Sequence, residues 1–242
     1  MILFLGDIHG NFEYIKGLIK RTKISDCAIF QLGDFGVGFG KPAYEKDNLL
    51  LINKFMRERN IIMYVIRGNH DDPAYFNGDH IYDNLKLMPD YSVVEYDDYK
   101  LLLIGGAISI DRKMRLKDDT AAARYGSSRR SYWFDEKVVL DEEKLSQISN
   151  IDILLTHTAP DWCTPINKIG FGGLVDSFSE NDPTLKDELK EERELMSKIF
   201  NLIQKQSFVK NHYYGHFHRS DITLNNGCQH QLVDINEFVE FK

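Results

Sequence analysis

Side chains that bind metal ions recur at five places in this chain of 242 residues, each directly after a run of apolar residues. The first three strings are Ile2-Leu-Phe-Leu-Gly-Asp7-Ile-His9, Ile29-Phe-Gln-Leu-Gly-Asp34, and Ile61–Ile66 followed by Arg67-Gly-Asn69-His70-Asp71. The last two are Ile151-Asp-Ile-Leu-Leu-Thr-His157, and Phe208–Tyr214 followed by Gly-His216-Phe-His218. A short apolar run bounded by Gly marks a buried strand. Sites in open α/β sheets form where the carboxyl ends of strands converge. The pattern thus predicts two Asp, one Asn and several His at one edge of one sheet, as a site for two metal ions. Mixed carboxylate and imidazole ligands suit Mn, Fe or Zn better than Mg or Ca. A carboxylate can bridge two ions, and two ions can clamp both oxygens of an in-line phosphoryl displacement. The three cysteines take no part in this pattern.

These strings resemble the five blocks of the calcineurin-like metallophosphoesterases, in family order and over nearly the whole chain. Gly6-Asp7-Ile8-His9-Gly10-Asn11 is similar to the first block, Gly33-Asp34 to the second and Gly68-Asn69-His70-Asp71 to the third. Thr156-His157 and Gly215-His216-Phe217-His218 are similar to the fourth and fifth. The resemblance implies that Asp7, His9 and His218 hold one ion, that Asn69, His157 and His216 hold the other, and that Asp34 bridges them. It implies that a hydroxide between the ions attacks phosphorus, and that His70 assists the leaving oxygen as the catalytic residue. It also implies a four-layer α/β/β/α sandwich of two mixed sheets. The Asp-Arg-Gly that protein phosphatases of this superfamily carry after the second block is missing here, where Asp34-Phe35-Gly36 stands instead. The third block ends in Asp71 where those phosphatases have Glu. A protein phosphatase is therefore disfavoured, and the group that orients His70 is not identified by sequence.

Taken singly, each residue has a plainer reading. Asp7 and Asp34 follow Gly and suit turns. His157 could be a hydrogen-bonded histidine at a strand end. His212, outside the blocks, reads as a packed residue or as an outer partner of a ligand. The five blocks together favour a dinuclear phosphohydrolase with two divalent ions, Mn foremost and Fe or Zn as alternatives. The substrate expected is a phosphodiester or a nucleotide-type phosphoester. A nuclease or RNA-processing enzyme, and a binding module that kept the fold without the chemistry, are the alternatives. Every ligand position holds a competent residue, which weighs against the binding module.

The elements that must position these residues follow from periodicity. Strands are predicted at Ile2–Leu5, Ala28–Leu32, Ile61–Ile66, Leu85–Met88, Ser92–Tyr96, Lys100–Ile104, Ile151–Leu155, Phe208–Tyr214, Ile222–Leu224 and Gln229–Val233. Helices are predicted near Asn11–Arg21, Tyr44–Arg59, Asp141–Ser149 and Pro183–Gln204, the last with Asp182 as N-cap. One domain is expected over 1–242, with a basic and aromatic loop insertion near 105–136. That loop opens Gly105-Gly106-Ala107-Ile108-Ser109-Ile110-Asp111, carries seven basic residues and ends in Tyr132-Trp133-Phe134. It reads either as a basic arm with an aromatic platform over the site or as a solvated loop pinned by its aromatics. The segment Ala159–Ser179, with Gly170-Phe171-Gly172-Gly173, reads as a surface excursion or as a flap beside His157.

The net charge of −7 weighs against non-specific nucleic-acid binding, which needs Lys and Arg. No apolar stretch has the length of a membrane span. The first strand begins at Ile2, which leaves no room for a signal peptide, and Cys27, Cys163 and Cys228 form no framework. A cytoplasmic setting is expected on that basis.

Overall fold

Strand β1 (Ile2–Leu5) leads through α1 (Phe12–Thr22) to β2 (Cys27–Gln31), and β2 leads through α2 (Pro42–Arg57) to β3 (Ile61–Val65). These β-α-β units carry the first three ligand blocks at their strand ends. A 3-10 turn (Pro73–Phe76), β4 (Leu85–Leu87), the hairpin of β5 (Ser92–Tyr96) and β6 (Tyr99–Ile104), α3 (Arg112–Arg124) and α4 (Glu142–Ser146) follow. The chain continues through β7 (Ile153–Thr156), α5 (Gly173–Ser179), α6 (Leu185–Gln204), β8 (Asn211–Tyr214), β9 (Asp221–Asn225), β10 (Cys228–Leu232) and β11 (Phe238–Glu240). The structure is a computed structural model and describes residues 1–165 and 173–242.

Two mixed sheets result, ordered β11-β1-β2-β3-β4 and β5-β6-β7-β8-β10-β9. Strands β1 to β4 are parallel, with β11 antiparallel at the edge. Strands β6, β7, β8 and β10 are also parallel, flanked by antiparallel β5 and β9. Alternating side chains of the central strands face two different layers. Phe4, Phe30, Leu101, Leu103, Ile153 and Tyr213 meet between the sheets. Leu3, Leu5 and Ile29 face α1 and α2 on one outer side. Leu102, Ile104 and Leu154 face Met196, Ile199 and Phe200 of α6 on the other. Both faces of each central strand are covered, so these strands read as unbroken apolar runs rather than as alternation. The layering is the α/β/β/α sandwich expected. Among the described residues, no helix is long and apolar enough to cross a membrane.

The structure departs from the sequence reading in several places. The ligand blocks come from two sheets rather than one: the first three follow β1, β2 and β3, and the last two follow β7 and β8. Strand β8 starts at Asn211, not Phe208, because the Gln204 side chain bonds both the N–H and the C=O of Val209 and takes the place of a ladder. Strand β11 was not anticipated; three residues form it by pairing with β1, over a separation in sequence that local pattern cannot show. Helix α6 starts after Thr184, and Asp182 pairs with Arg112 instead of capping it. The segment 105–136 contains α3, where a loop was expected. This helix buries only Arg112 and Arg115, so it has no apolar stripe to detect. Helix α5 lies in the expected loop 159–179, and the glycine-rich run at Gly170-Phe171-Gly172 lies outside the described residues.

Candidate metal centre

The five blocks meet at the carboxyl ends of the two sheets. Two groups of acceptor side chains form there, Asp7, His9, Asp34 and His218 in one, and Asp34, His157 and His216 in the other. Asp34 belongs to both. In the first group, His218 Nε2 lies 3.1 Å from Asp7 Oδ2 and 3.1 Å from His9 Nε2. In the second, His157 Nε2 lies 3.3 Å from Asp34 Oδ1 and 3.1 Å from Asn69 Oδ1. All seven residues named from the sequence as ligands are therefore brought together. His70 stands beside them, its backbone N–H donating to Asp34 Oδ1 at 2.7 Å and its ring 5.0 Å from that of His9.

The backbone bends sharply to aim these groups. His9, Asp34, His216 and His218 have φ of 44°, 53°, 70° and 48°. This left-handed region is uncommon for residues with a side chain and costs about 1–3 kcal/mol each where it is not relieved. Four such residues within one site are a concentration of strain at the place where aim matters. Gly68 and Gly215 serve close approach instead. A methyl on Gly68 would overlap Asp34, and one on Gly215 would overlap Asp7.

Hydrogen bonds fix which atoms face inward. His157 Nδ1 donates to the Leu32 carbonyl at 2.7 Å, which leaves the Nε2 lone pair pointing at the site. Asn69 Nδ2 donates to Ser109 Oγ at 3.0 Å, which turns its amide oxygen inward. Asp34 Oδ1, Asn69 Oδ1 and His157 Nε2 then form a buried set of acceptors around one point. Such a set repels itself unless a cation or a proton sits within it. The donor set fits divalent metal ions of the borderline class.

The acid–base balance reflects the same crowding. Burial pushes the Asp34 carboxyl up, but His157, His70 and His9 outweigh it and hold it well below the usual carboxylate range. Burial pushes His157 down, and Asp34 and Asp7 reverse this and raise it to about 9. Burial dominates at His216 and drives it well below the usual imidazole range. At His218 burial is outweighed by the hydrogen bond that the ring donates to Asp7 and by the Asp7 charge, and the ring is raised.

A family profile for calcineurin-like phosphoesterases matches residues 1–220. The chain belongs to this family. No curated protein sequence matches it. Among solved structures, a Thermotoga maritima protein is 12% identical, with TM-score 0.38, over 100% of this chain and 91% of that one. The phosphopantetheinyl hydrolase of Mycobacterium tuberculosis is 14% identical, with TM-score 0.46, over 97% and 89%. A putative 5'-nucleotidase of Staphylococcus aureus is 11% identical, with TM-score 0.40, over 97% and 49%.

This calcineurin-like phosphoesterase supports its site with residues that the sequence reading did not assign. Asp71 accepts from the backbone N–H groups of Phe35, Gly36, Val37 and Gly68, and so clamps the Asp34 loop to the third block. Burial and then the Asp34 charge push Asp71 up to about 7, against the Gly68, Gly36 and Val37 donors. Arg67 ties the same block to the turn before β5 and to the segment between α3 and α4, donating to Asp90 and to the carbonyls of Glu136 and Lys137. Ser109, which holds Asn69, is itself held by Glu136 through its N–H at 2.7 Å and its hydroxyl at 2.6 Å. Arg115 of α3 reaches the His70 ring. Ser109 belongs to the Gly-Gly-Ala-x-Ser-x-Asp string noted above, and Asp111 with Arg115 is a helical i,i+4 ion pair. Those were the signals in the sequence.

A third group, Cys163, His212 and His230, also brings potential ligand atoms together. Hydrogen bonding accounts for it without an ion. The Trp162 indole, a donor only, lies 3.3 Å from His230 Nε2, which must accept. His230 Nδ1 then donates to His212 Nδ1 at 2.8 Å, and His212 Nε2 donates to Thr156 Oγ1 at 2.7 Å. Thr156 closes the chain on the Thr158 carbonyl. An ion on His230 Nδ1 would force its Nε2–H against the indole N–H. His212 is thus a buried, neutral neighbour of the strand end that carries His157.

Proposed function

We propose that this protein hydrolyses phosphoester bonds at a two-ion centre and that its substrate is a phosphodiester or nucleotide-type phosphoester. The reading is carried by one observation: two groups of converging acceptors share a single buried carboxylate, Asp34, at the meeting strand ends. Asp7, His9 and His218 would hold one ion and Asn69, His157 and His216 the other, with Asp34 common to both. Bound divalent ions, Mn foremost, supply positive charge for the phosphoryl oxygens and an acidified water as nucleophile. The chain's own groups do the rest. The backbone of His70 fixes Asp34, and the His70 ring faces the cavity and serves the leaving oxygen.

The cavity over the centre, about 270 Å³, supports an organic substituent beyond the phosphoryl group. Its wall includes Ile110, Phe178, Leu189 and Phe217 beside Asp34 and His70. Its described lining includes no Lys or Arg, which favours a small phosphoester over a nucleic-acid strand. Three buried free thiols support a reducing compartment, the cytoplasm.

The test compares bis(p-nitrophenyl) phosphate with p-nitrophenyl phosphate on protein stripped and refilled with Mn, with His218→Ala as control. Faster diester cleavage that the control loses is expected. Faster monoester cleavage would transfer the reading to a monoester phosphatase. No cleavage of either by metal-loaded protein would remove the hydrolase reading.

A further inference from the structure

We propose that a wall beside the metal centre, built by Leu174 and Phe178 of α5 with Ile110, Leu189 and Phe217, selects phosphoesters of an apolar alcohol or phenol. This deepens the phosphoesterase reading above and rests on it for the reaction, though not for the binding preference. These side chains and the proposed ligands Asp34, Asn69, His216 and His218 line one cavity of about 270 Å³. A group esterified to a phosphoryl unit at the centre therefore has alkyl and aromatic side chains as neighbours. An apolar cavity of about 150 Å³ already takes a benzene molecule.

The packing around α5 shows how the wall arises. Val175 is buried with Ile108, Leu185 and Leu189 in a small cluster of its own, and Ile110 and Phe178 pack partly against it. Leu174 stands one helical turn before Phe178, on the same side of the helix, and is 54% exposed. This short helix thus carries apolar side chains to the core and to the cavity alike. Single exposed Leu residues are common and need no explanation. Here the exposed Leu shares a concave wall with Phe178 and Phe217, continuous with a few converging polar groups, which is the usual make-up of a small-molecule site.

The polar side of the cavity narrows the choice. Apart from the proposed ligands and His70, Asp111 is the one polar residue in the described lining. Its Oδ2 lies 3.2 Å from Arg115 Nε and is engaged by it. A hydroxyl or a second phosphate set against the apolar wall gives up water for no partner among those side chains, which disfavours it. A CH₂ group buried there instead gains about fourfold in affinity. The wall therefore ranks ester groups by apolar surface, with a chain or an aromatic ring above a sugar or a further phosphate.

The test is calorimetric binding of phosphonates, which carry the anionic head without an ester to cleave, to the full chain loaded with Mn. Methyl-, butyl-, 3-hydroxypropyl- and phenylphosphonate are compared on wild type, Leu174→Ser and Phe178→Ser. The butyl and 3-hydroxypropyl arms have the same length and differ only in a terminal methyl or hydroxyl. Wild type is expected to bind butyl- and phenylphosphonate about tenfold tighter than methylphosphonate, with little gain for the hydroxypropyl arm. Each Ser variant is expected to cut the butyl-to-methyl ratio about threefold. Leu174 is exposed, so Leu174→Ser carries the test if Phe178→Ser fails to fold. A larger gain from phenyl than from butyl assigns the wall to an aromatic group, and the reverse assigns it to an alkyl chain. Equal affinity for all four probes, equal gains from butyl and hydroxypropyl, a ratio unmoved in Leu174→Ser, or no binding of any probe overturns the proposal. Protein that shows the butyl preference but hydrolyses no phosphoester would remove the hydrolase reading and keep the wall. Protein that hydrolyses bis(p-nitrophenyl) phosphate without an apolar preference would keep that reading and remove the wall.

Discussion

Asp34 is the residue on which the site turns, because it touches both groups of acceptors and also receives the His70 N–H. Asp34→Asn keeps the shape but removes the charge that offsets a second ion. We expect stripped and refilled Asp34→Asn to hold fewer ions per chain than wild type by elemental analysis; full occupancy would exclude a bridging role. His70 is separable from ion binding, since its ring belongs to neither group. His70→Ala should cut kcat by about 10²–10⁴-fold with metal content intact. Unchanged turnover would remove His70 from the chemistry. All seven ligand candidates and His70 were legible in the sequence because each is a metal-seeking residue type placed directly after a strand. Arg115, Ser109 and Glu136 were not, because their roles depend on which side of the site α3 and its flanking turns come to occupy. Positive φ at His9, Asp34, His216 and His218 was not read from the sequence, because Asp and His adopt it more often than most residues but far from always.

At the level of elements, the dock between α3 and α6 sets where Arg115 stands. Arg112 donates to both oxygens of Asp182 and to Glu188, and Lys137 adds a contact to Glu188. The Arg112 hydrogen bonds hold Asp182 below the usual carboxylate range and Glu188 far below it. Depressed folded values mean stabilisation that is present above the unfolded carboxylate pKa, about 4, and lost as pH falls through the lowered values. Thermal melts should therefore show Arg112→Met less stable than wild type at pH 7, with the gap narrowing in acid. Breaking a buried pair typically costs about 3–5 kcal/mol. The partial exposure of Glu188 places this network toward the low end. A gap that holds constant down to acid pH would show that the pairs contribute nothing. The strands of the sandwich were readable because burial on both faces leaves continuous apolar runs. Helix α3 was missed because its buried face is two arginines, and β11 because its partner lies at the other end of the chain.

On the scale of the whole molecule, two sheets are packed so that the carboxyl ends of β1, β2, β3, β7 and β8 deliver ligands to one place. Phe4 of β1 stacks on Tyr213 of β8 with ring centroids 3.7 Å apart, close below that junction. The arrangement splits the ligands of each proposed ion between the sheets: Asp7 and His9 with His218, and Asn69 with His157 and His216. Ion binding should then hold the sheets together as well as build the catalyst, by the linkage of ligand to the folded state. The central claim is that two ions act together. It is tested most directly by adding Mn stepwise to stripped protein and following bis(p-nitrophenyl) phosphate hydrolysis. Activity that rises to a plateau at two equivalents per chain is expected. A plateau at one equivalent, or no activity at any ratio, would contradict a dinuclear phosphoesterase.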